Sequence, residues 1–334
     1  MPLIALSHTK GEHMNKFYWL AMSALMLAGV PFAYAQRNAT LNTRNEPLLK
    51  GPVVENPVDV LDFWTDERMD EAWPSHNPPQ PPPILLPLLP GADQSGYVVM
   101  PEPYNEHRLS RMVGILFYRD MTGGLAHCTA SVIHSHTKSL LITAAHCVTQ
   151  SAENTWNNML MFVPAYNGAG RLKTPLGKWP IRRVFIPYQR AGVVSVDDIA
   201  VAQVFAKTAP IGPGVTLESM VGGGLQPRTS ETENFEPAVK IIGYPGVWYA
   251  GDGPYEGEQR RCDTPIFNLP DSSFSSPHCA IQGGHSGGPL VFDTGTPGAY
   301  EVVGVVNSGV IQARLKLSTF GRIYRAADIP RRNP

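Results

Sequence analysis

Charge is scarce in this chain. Charged residues fill 16% of its 334 positions, and the two signs cancel to a formal net charge of -1. A large basic field is therefore missing, and no nucleic-acid partner is expected. Long helix-period runs are missing too. With 31 Gly and 32 Pro, the chain favours turns, short strands and loops. There is no internal repeat and no coiled-coil pattern. Cysteine is limited to four positions: Cys128, Cys147, Cys262 and Cys279. What is plentiful is apolar residues, at 43%, enough for a sizeable core.

The N-terminus carries an address. From Met14 it reads "MNKFYWLAMSALMLAGVPFAYAQ". Lys16 is the basic start, Leu20 to Val30 the apolar run, and Ala33-Tyr34-Ala35 the small-residue cleavage site. This pattern reads as a secretory signal peptide over residues 1–35. Met14 is the better start, because the preceding residues are mixed and include Glu12. The competing reading, an uncleaved anchor, fits Pro31 and the short apolar run less well. A secreted or periplasmic protein is expected, with no stable membrane association after signal cleavage. An even number of cysteines beyond an export signal suggests two disulfides, against the alternative of buried thiols.

Residues 36–107 show no convincing period. Their "HNPPQPPPILLPLLPG", His76 to Gly91, is a proline run expected to be extended. The region reads as the propeptide of a zymogen or a linker, or as an extension that stays on the protein. From residue 108 the texture changes. Short Val- and Ile-rich runs follow one another, each bounded by turn residues: "RMVGILFY", "SLLITAA", "DDIAVAQVF", "AVKIIGYPG", "YEVVGVVNSG". That pattern predicts an all-β sandwich or barrel over 108–334, with a weak helical piece near Tyr324 to Ile329. The span suits two small barrels packed together.

Three segments carry candidate chemistry. "LLITAAHC" brings an apolar strand into a small-residue turn at His146. "DDIAVAQV" sets Asp197 and Asp198 at the head of another strand. "GGHSGGPL" places Ser286 among four glycines. A hydroxyl is a poor nucleophile at neutral pH. It needs a base in hydrogen-bond reach, and the base needs a carboxylate to fix its tautomer. Glycines beside the serine let backbone N–H groups converge where an oxyanion would form. An Asp before a strand is ordinarily a turn or cap residue, so Asp198 gains its role from the ordered set, with Asp197 as its rival.

Two other chemistries are less consistent with the sequence. Gly284 to Gly288 also matches the nucleophile-elbow pattern G-x-S-x-G, but that fold needs its histidine after the serine. No histidine follows Ser286. His127, Cys128, His134, His136, His146 and Cys147 crowd together and could suggest a metal. Their spacing matches no usual zinc pattern, and strand alternation scatters them over two faces. No metal and no cofactor are expected.

"TAAHC", "DIAV" and "GGHSGGP" together resemble the His, Asp and Ser boxes of the trypsin-like (chymotrypsin-fold) serine endopeptidases. "CTASVI" and "IIGYPG" are similar to the bacterial glutamyl-endopeptidase branch. The resemblance covers roughly residues 108–325. It implies two packed six-stranded antiparallel β-barrels with the active site between them. It also implies His146 as base, Asp198 as its orienter and Ser286 as nucleophile, with Gly284 and Ser286 supplying oxyanion-hole N–H groups. A Cys128–Cys147 bridge would tie the histidine loop, stabilising by roughly 3 kcal/mol on the chain-entropy model, and Cys262–Cys279 would close a second loop. The expected function is an exported, monomeric serine endopeptidase, acting on peptide or protein substrates through an acyl-enzyme. A silent binding protein on the same fold and an esterase-like serine hydrolase are the alternatives.

The resemblance also marks departures. Its pocket base falls on Ala280, where trypsin-like members carry an Asp, so a basic preference is not expected. Asn307, Ser308 and Gly309 occupy the substrate-binding triplet, preceded by Val306 where glutamyl endopeptidases carry a His. A small or apolar preference follows, with His278 near enough in sequence to contribute. His285 stands where many members have an Asp that receives a freed N-terminal ammonium. Histidine cannot make that pair when neutral, so activity is expected not to depend on burying a new N-terminus.

Overall fold

The computed structural model describes residues 49–50, 55–74, 83–149, 155–187, 196–206, 214–230, 235–246 and 257–329. The signal-peptide reading lies outside them. After β1 (Leu49–Lys50), two short helices form within the stretch that shows no period in the sequence. Asn56 caps α1 (Pro57–Phe63) by accepting from the Val58 N–H at 3.1 Å, and Pro57 sits in the first turn, where no N–H is required. Thr65 caps α2 (Asp66–Glu71) through the Arg68 N–H. At 7 and 6 residues, both helices are too short for a 3.6-residue period to register. Tertiary contacts hold them instead. Trp64, between them, is fully buried. Its indole N–H donates to the Met159 carbonyl at 2.6 Å, and its ring lies 5.2 Å from Phe117.

β2 (Trp73–Pro74) and β3 (Val98–Val99) follow, then α3 (Arg108–Met112). The first barrel is built from β4 (Val113–Arg119), β5 (Leu125–Val132), β6 (Leu140–Thr143), β7 (Asn158–Pro164), β8 (Trp179–Ile186) and β9 (Ala200–Val204). Their antiparallel pairings run β8-β7-β4-β5-β6-β9, and β8 also pairs β9, so the ring closes. Closure leaves no free edge inside the ring. β1 adds to β8, and β2 lies parallel to β5.

α4 (Leu217–Val221) links to the second sheet. There β10 (Gln226–Pro227), β11 (Ala238–Gly243), β12 (Arg260–Pro265), β13 (Phe267–Asn268), β14 (Phe274–Ser275), β15 (Pro289–Asp293), β16 (Tyr300–Ser308) and β17 (Ile311–Arg314) order as β13-β14-β17-β16-β15-β11-β12-β3, with β10 beside β16. This sheet curls but does not close among the described residues. The two-barrel, all-β expectation holds. α5 (Phe320–Ala327) packs on β8 and β9, starting before the helical piece expected at Tyr324.

The apolar core divides at β11. Ile242 joins the larger cluster, which fills the first barrel and the face between the halves. Its neighbour Ile241 joins the cluster inside the second sheet. This is the two-residue strand period at work. Both expected disulfides are present, Cys128–Cys147 and Cys262–Cys279.

Candidate active site

The β6–β9 register brings His146 and Asp198 together. Thr143 pairs with Ala200. The 3-10 turn Ala145–Cys147 leaves the end of β6, and Asp198 enters the start of β9 at the same end of the barrel. The His146 N–H donates to Asp198 Oδ1 at 2.8 Å, and His146 Nδ1 lies 2.6 Å from Oδ2. Asp198 is fully buried. A carboxylate bonded to Nδ1 leaves Nε2 as the ring's other working nitrogen. Among the described residues, His146 Nε2 has no hydrogen-bond partner. Asp197, the rival, instead lies 3.4 Å from the Lys316 ammonium.

Ser286 arrives from the second half of the molecule on the turn before β15. Gly284 and Gly287 have φ of +84° and +81°, left-handed conformations that glycine adopts without strain. Gly287 also has no room for a side chain: a Cβ there would stand 2.1 Å from Thr143 Oγ1 and 2.4 Å from the Thr129 carbonyl. Its N–H donates to the Val306 carbonyl at 2.8 Å, fastening the turn to β16.

Thr129, on β5, fastens the same turn to the first barrel, and sequence reasoning gave it no role. Its N–H donates to the Ser286 carbonyl at 2.8 Å. Its hydroxyl donates to the Gly284 carbonyl at 2.9 Å and accepts from the Tyr244 N–H at 3.0 Å. The only signal was its place in "CTASVI", beside Cys128. The Cys128–Cys147 bridge joins β5 to the His146 turn from the same side. Cys128, His146 and Cys147 do cluster, but the two sulfurs are bonded to each other and offer no thiolate to a metal.

The expected substrate-binding positions lie in the second half of the chain, before the Ser286 turn and at the end of β16. Ala280 is buried, and its N–H donates to the Ser95 carbonyl at 2.9 Å. Asn307 donates its N–H to Gln312 Oε1 at 3.0 Å, and the Gly309 carbonyl accepts from Gln312 Nε2 at 3.1 Å. Ser308 pairs with Ile311 at the end of β16. Gln312 therefore shapes the triplet's turn, another residue without a sequence signal. His278 turns to the N-terminal segment, with Nδ1 2.5 Å from the Leu86 carbonyl.

His285 is fully buried. Nδ1 lies 2.9 Å from the Tyr97 hydroxyl. The Ile242 backbone lies beside the ring, and Nε2 makes no full hydrogen bond among the described residues. Burial pushes its pKa down to about 3, so the ring is neutral at physiological pH.

Comparison with known proteins agrees with this architecture. The family model described as Trypsin matches residues 102–328, starting slightly before the expected boundary at 108. No curated protein sequence matches the chain. Among solved structures, a thermostable serine protease AL20 from an extremophilic microorganism is similar with a TM-score of 0.56 and 19% identity. That match covers 66% of this chain and 99% of the other. The protease Anisep from Arthrobacter nicotinovorans is similar with a TM-score of 0.54 and 22% identity, over 65% and 95% of the two chains. At these identities the structures speak for the fold, and the family model for the lineage. The chain belongs to the trypsin family of serine endopeptidases.

Proposed function

We propose that the protein is an exported endopeptidase that cuts peptide bonds through a Ser286 acyl-enzyme. The observation that carries this reading is the buried Asp198 carboxylate at 2.6 Å from His146 Nδ1, on a ring whose Nε2 has no protein partner among the described residues. In this reading His146 Nε2 takes the Ser286 hydroxyl proton as Oγ attacks the scissile carbonyl. Asp198 holds the tautomer and steadies the imidazolium. The Gly284 and Ser286 N–H groups meet the oxyanion. As the C–N bond breaks, His146 returns the proton to the leaving amine. Water, deprotonated by the same nitrogen, then releases the acid and restores Ser286.

Ala280, Asn307, Ser308 and Gly309 would line the substrate cleft. Ala280 offers no charge to a basic side chain, so a small or apolar preference is proposed. Backbone pairing to the triplet would supply affinity independent of side-chain identity. Export is supported by the signal pattern before Gln36 and by two disulfides, which persist in oxidising compartments.

A fluorophosphonate probe and a peptide-library digest test this together. The expected result is one phosphonyl group on the tryptic peptide containing Ser286, plus cleavage of internal peptide bonds. A folded protein that takes no label would be a binding protein on this fold. Labelling without any peptide cleavage would point to an esterase.

A further inference from the structure

His285 sits between Gly284 and Ser286, yet the proton transfers above do not use it. Its side-chain hydrogen-bond partner comes from the N-terminal segment. The Asp93 carboxylate accepts from the Ser95 and Tyr97 N–H groups at 3.0 and 2.8 Å, and the Asp93 N–H donates to the Tyr97 carbonyl at 2.9 Å. These bonds close a turn over residues 93–97. Arg260 on β12 holds the turn from outside, 3.4 Å from Asp93 Oδ2. β3, immediately after it, pairs with the same strand.

The turn fits the residues leading to Ser286 at three successive points. Ser95 accepts the Ala280 N–H on its carbonyl, and its hydroxyl accepts from Gln282 Nε2 at 3.0 Å. Gly96, at φ +92°, comes so close that a Cβ would stand 2.4 Å from the His278 carbonyl. The Tyr97 hydroxyl lies 2.9 Å from His285 Nδ1 and 3.4 Å from the Gln282 N–H, with its ring 5.1 Å from the imidazole. The lone-pair nitrogen of a neutral imidazole accepts a hydrogen bond from a hydroxyl without any buried charge. A terminal ammonium at that place would be a buried charge facing a neutral ring.

We propose that Tyr97 is a positioning residue for the oxyanion loop, and that residues 93–97 remain with the active enzyme as an internal brace. The Tyr97 hydroxyl fixes His285, and His285 fixes the flanking Gly284 and Ser286 N–H groups. This rests on the reading of Ser286 as nucleophile.

Tyr97→Phe keeps the ring and removes only the hydroxyl. Loss of a whole oxyanion donor costs about 10²–10³ in kcat, so loosening the loop should lower kcat about 10- to 100-fold. KM should stay within about threefold, and Tm should fall only modestly, because the ring packing survives while His285 Nδ1 and the Gln282 N–H lose a partner. The rate of fluorophosphonate labelling should fall in parallel. Equal labelling rates for wild type and Tyr97→Phe would overturn the brace alone. A raised KM at unchanged kcat would do the same. A wild-type protein that takes no label would sink the nucleophile reading and the brace with it. Intact mass gives a second readout that does not depend on the variant folding. Labelled, active enzyme should retain Tyr97, and a fully active preparation lacking it refutes the proposal.

Discussion

Two buried histidines set how acid acts on this protein. His285 and His127 are both enclosed, and desolvation lowers both pKa values, that of His285 to about 3. In the unfolded chain each returns to about 6.5. Between those values the unfolded state binds protons that the folded state refuses. Stability therefore rises with pH through that window and is lost as pH falls from about 6.5 toward about 3. For His285 alone the full shift corresponds to about 5 kcal/mol at its upper limit. Glu55 and Asp263, raised by partial burial, act in the opposite sense. The two histidines should dominate, because they are the more deeply buried. Thermal unfolding at pH 7, 5 and 4 checks this: Tm should fall steadily with acid. A flat Tm across that range would mean that neither ring stays neutral in the folded state.

At the scale of elements, the site hangs on short connections. The Cys128–Cys147 bridge closes a separation of 19 residues between β5 and the His146 turn. Replacing both with alanine should cost roughly 3 kcal/mol by the chain-entropy argument. It should also lower kcat, because the turn that aims His146 loses one anchor. The Asn157 side chain, which donates to the Cys147 carbonyl at 3.0 Å, still holds the other. Thermal melts paired with kcat on the double variant test both halves. An unchanged Tm would show that the bridge adds nothing to the hydrogen bonds around it. The three motif segments themselves stood out in the sequence, because the proposed nucleophile chemistry confines residue types: a strand into TAAHC, an Asp heading a strand, a Ser among glycines. The supports were not. Thr129 is an ordinary strand threonine whose partner Gly284 lies 155 residues away. Tyr97 meets His285 across 188 residues. Hydrogen bonds between distant, unremarkable residues leave no local pattern. The all-β architecture was readable from the strand period, whereas α1 and α2 were hidden by their length.

At the scale of the molecule, residues 55–74 and 93–99 are built into the fold. Val60, Trp64, Met69 and Ala72 are all buried in the core that fills the first barrel. His127 Nδ1 lies 2.9 Å from the Ala72 carbonyl, and the Met159 N–H donates to Glu55 at 2.6 Å. The Lys178 ammonium donates to the Trp64 carbonyl at 2.6 Å. Further on, Val98–Val99 add an edge strand to the second sheet, beside β12. A segment so placed touches both halves, so removing one of its anchors should weaken the whole fold. Trp64→Ala deletes a fully enclosed indole and leaves the Met159 carbonyl without its donor. Truncating a buried aromatic typically costs about 3–5 kcal/mol. The expected outcome in denaturant is a transition shifted to lower concentration by that amount, with tryptophan fluorescence and far-ultraviolet circular dichroism moving together. If α1 and α2 were a detachable cap, the barrels' own transition would stay where it was and a separate, earlier step would appear. Coincident probes with a lowered midpoint would mean that the helices fold and unfold with the protease body.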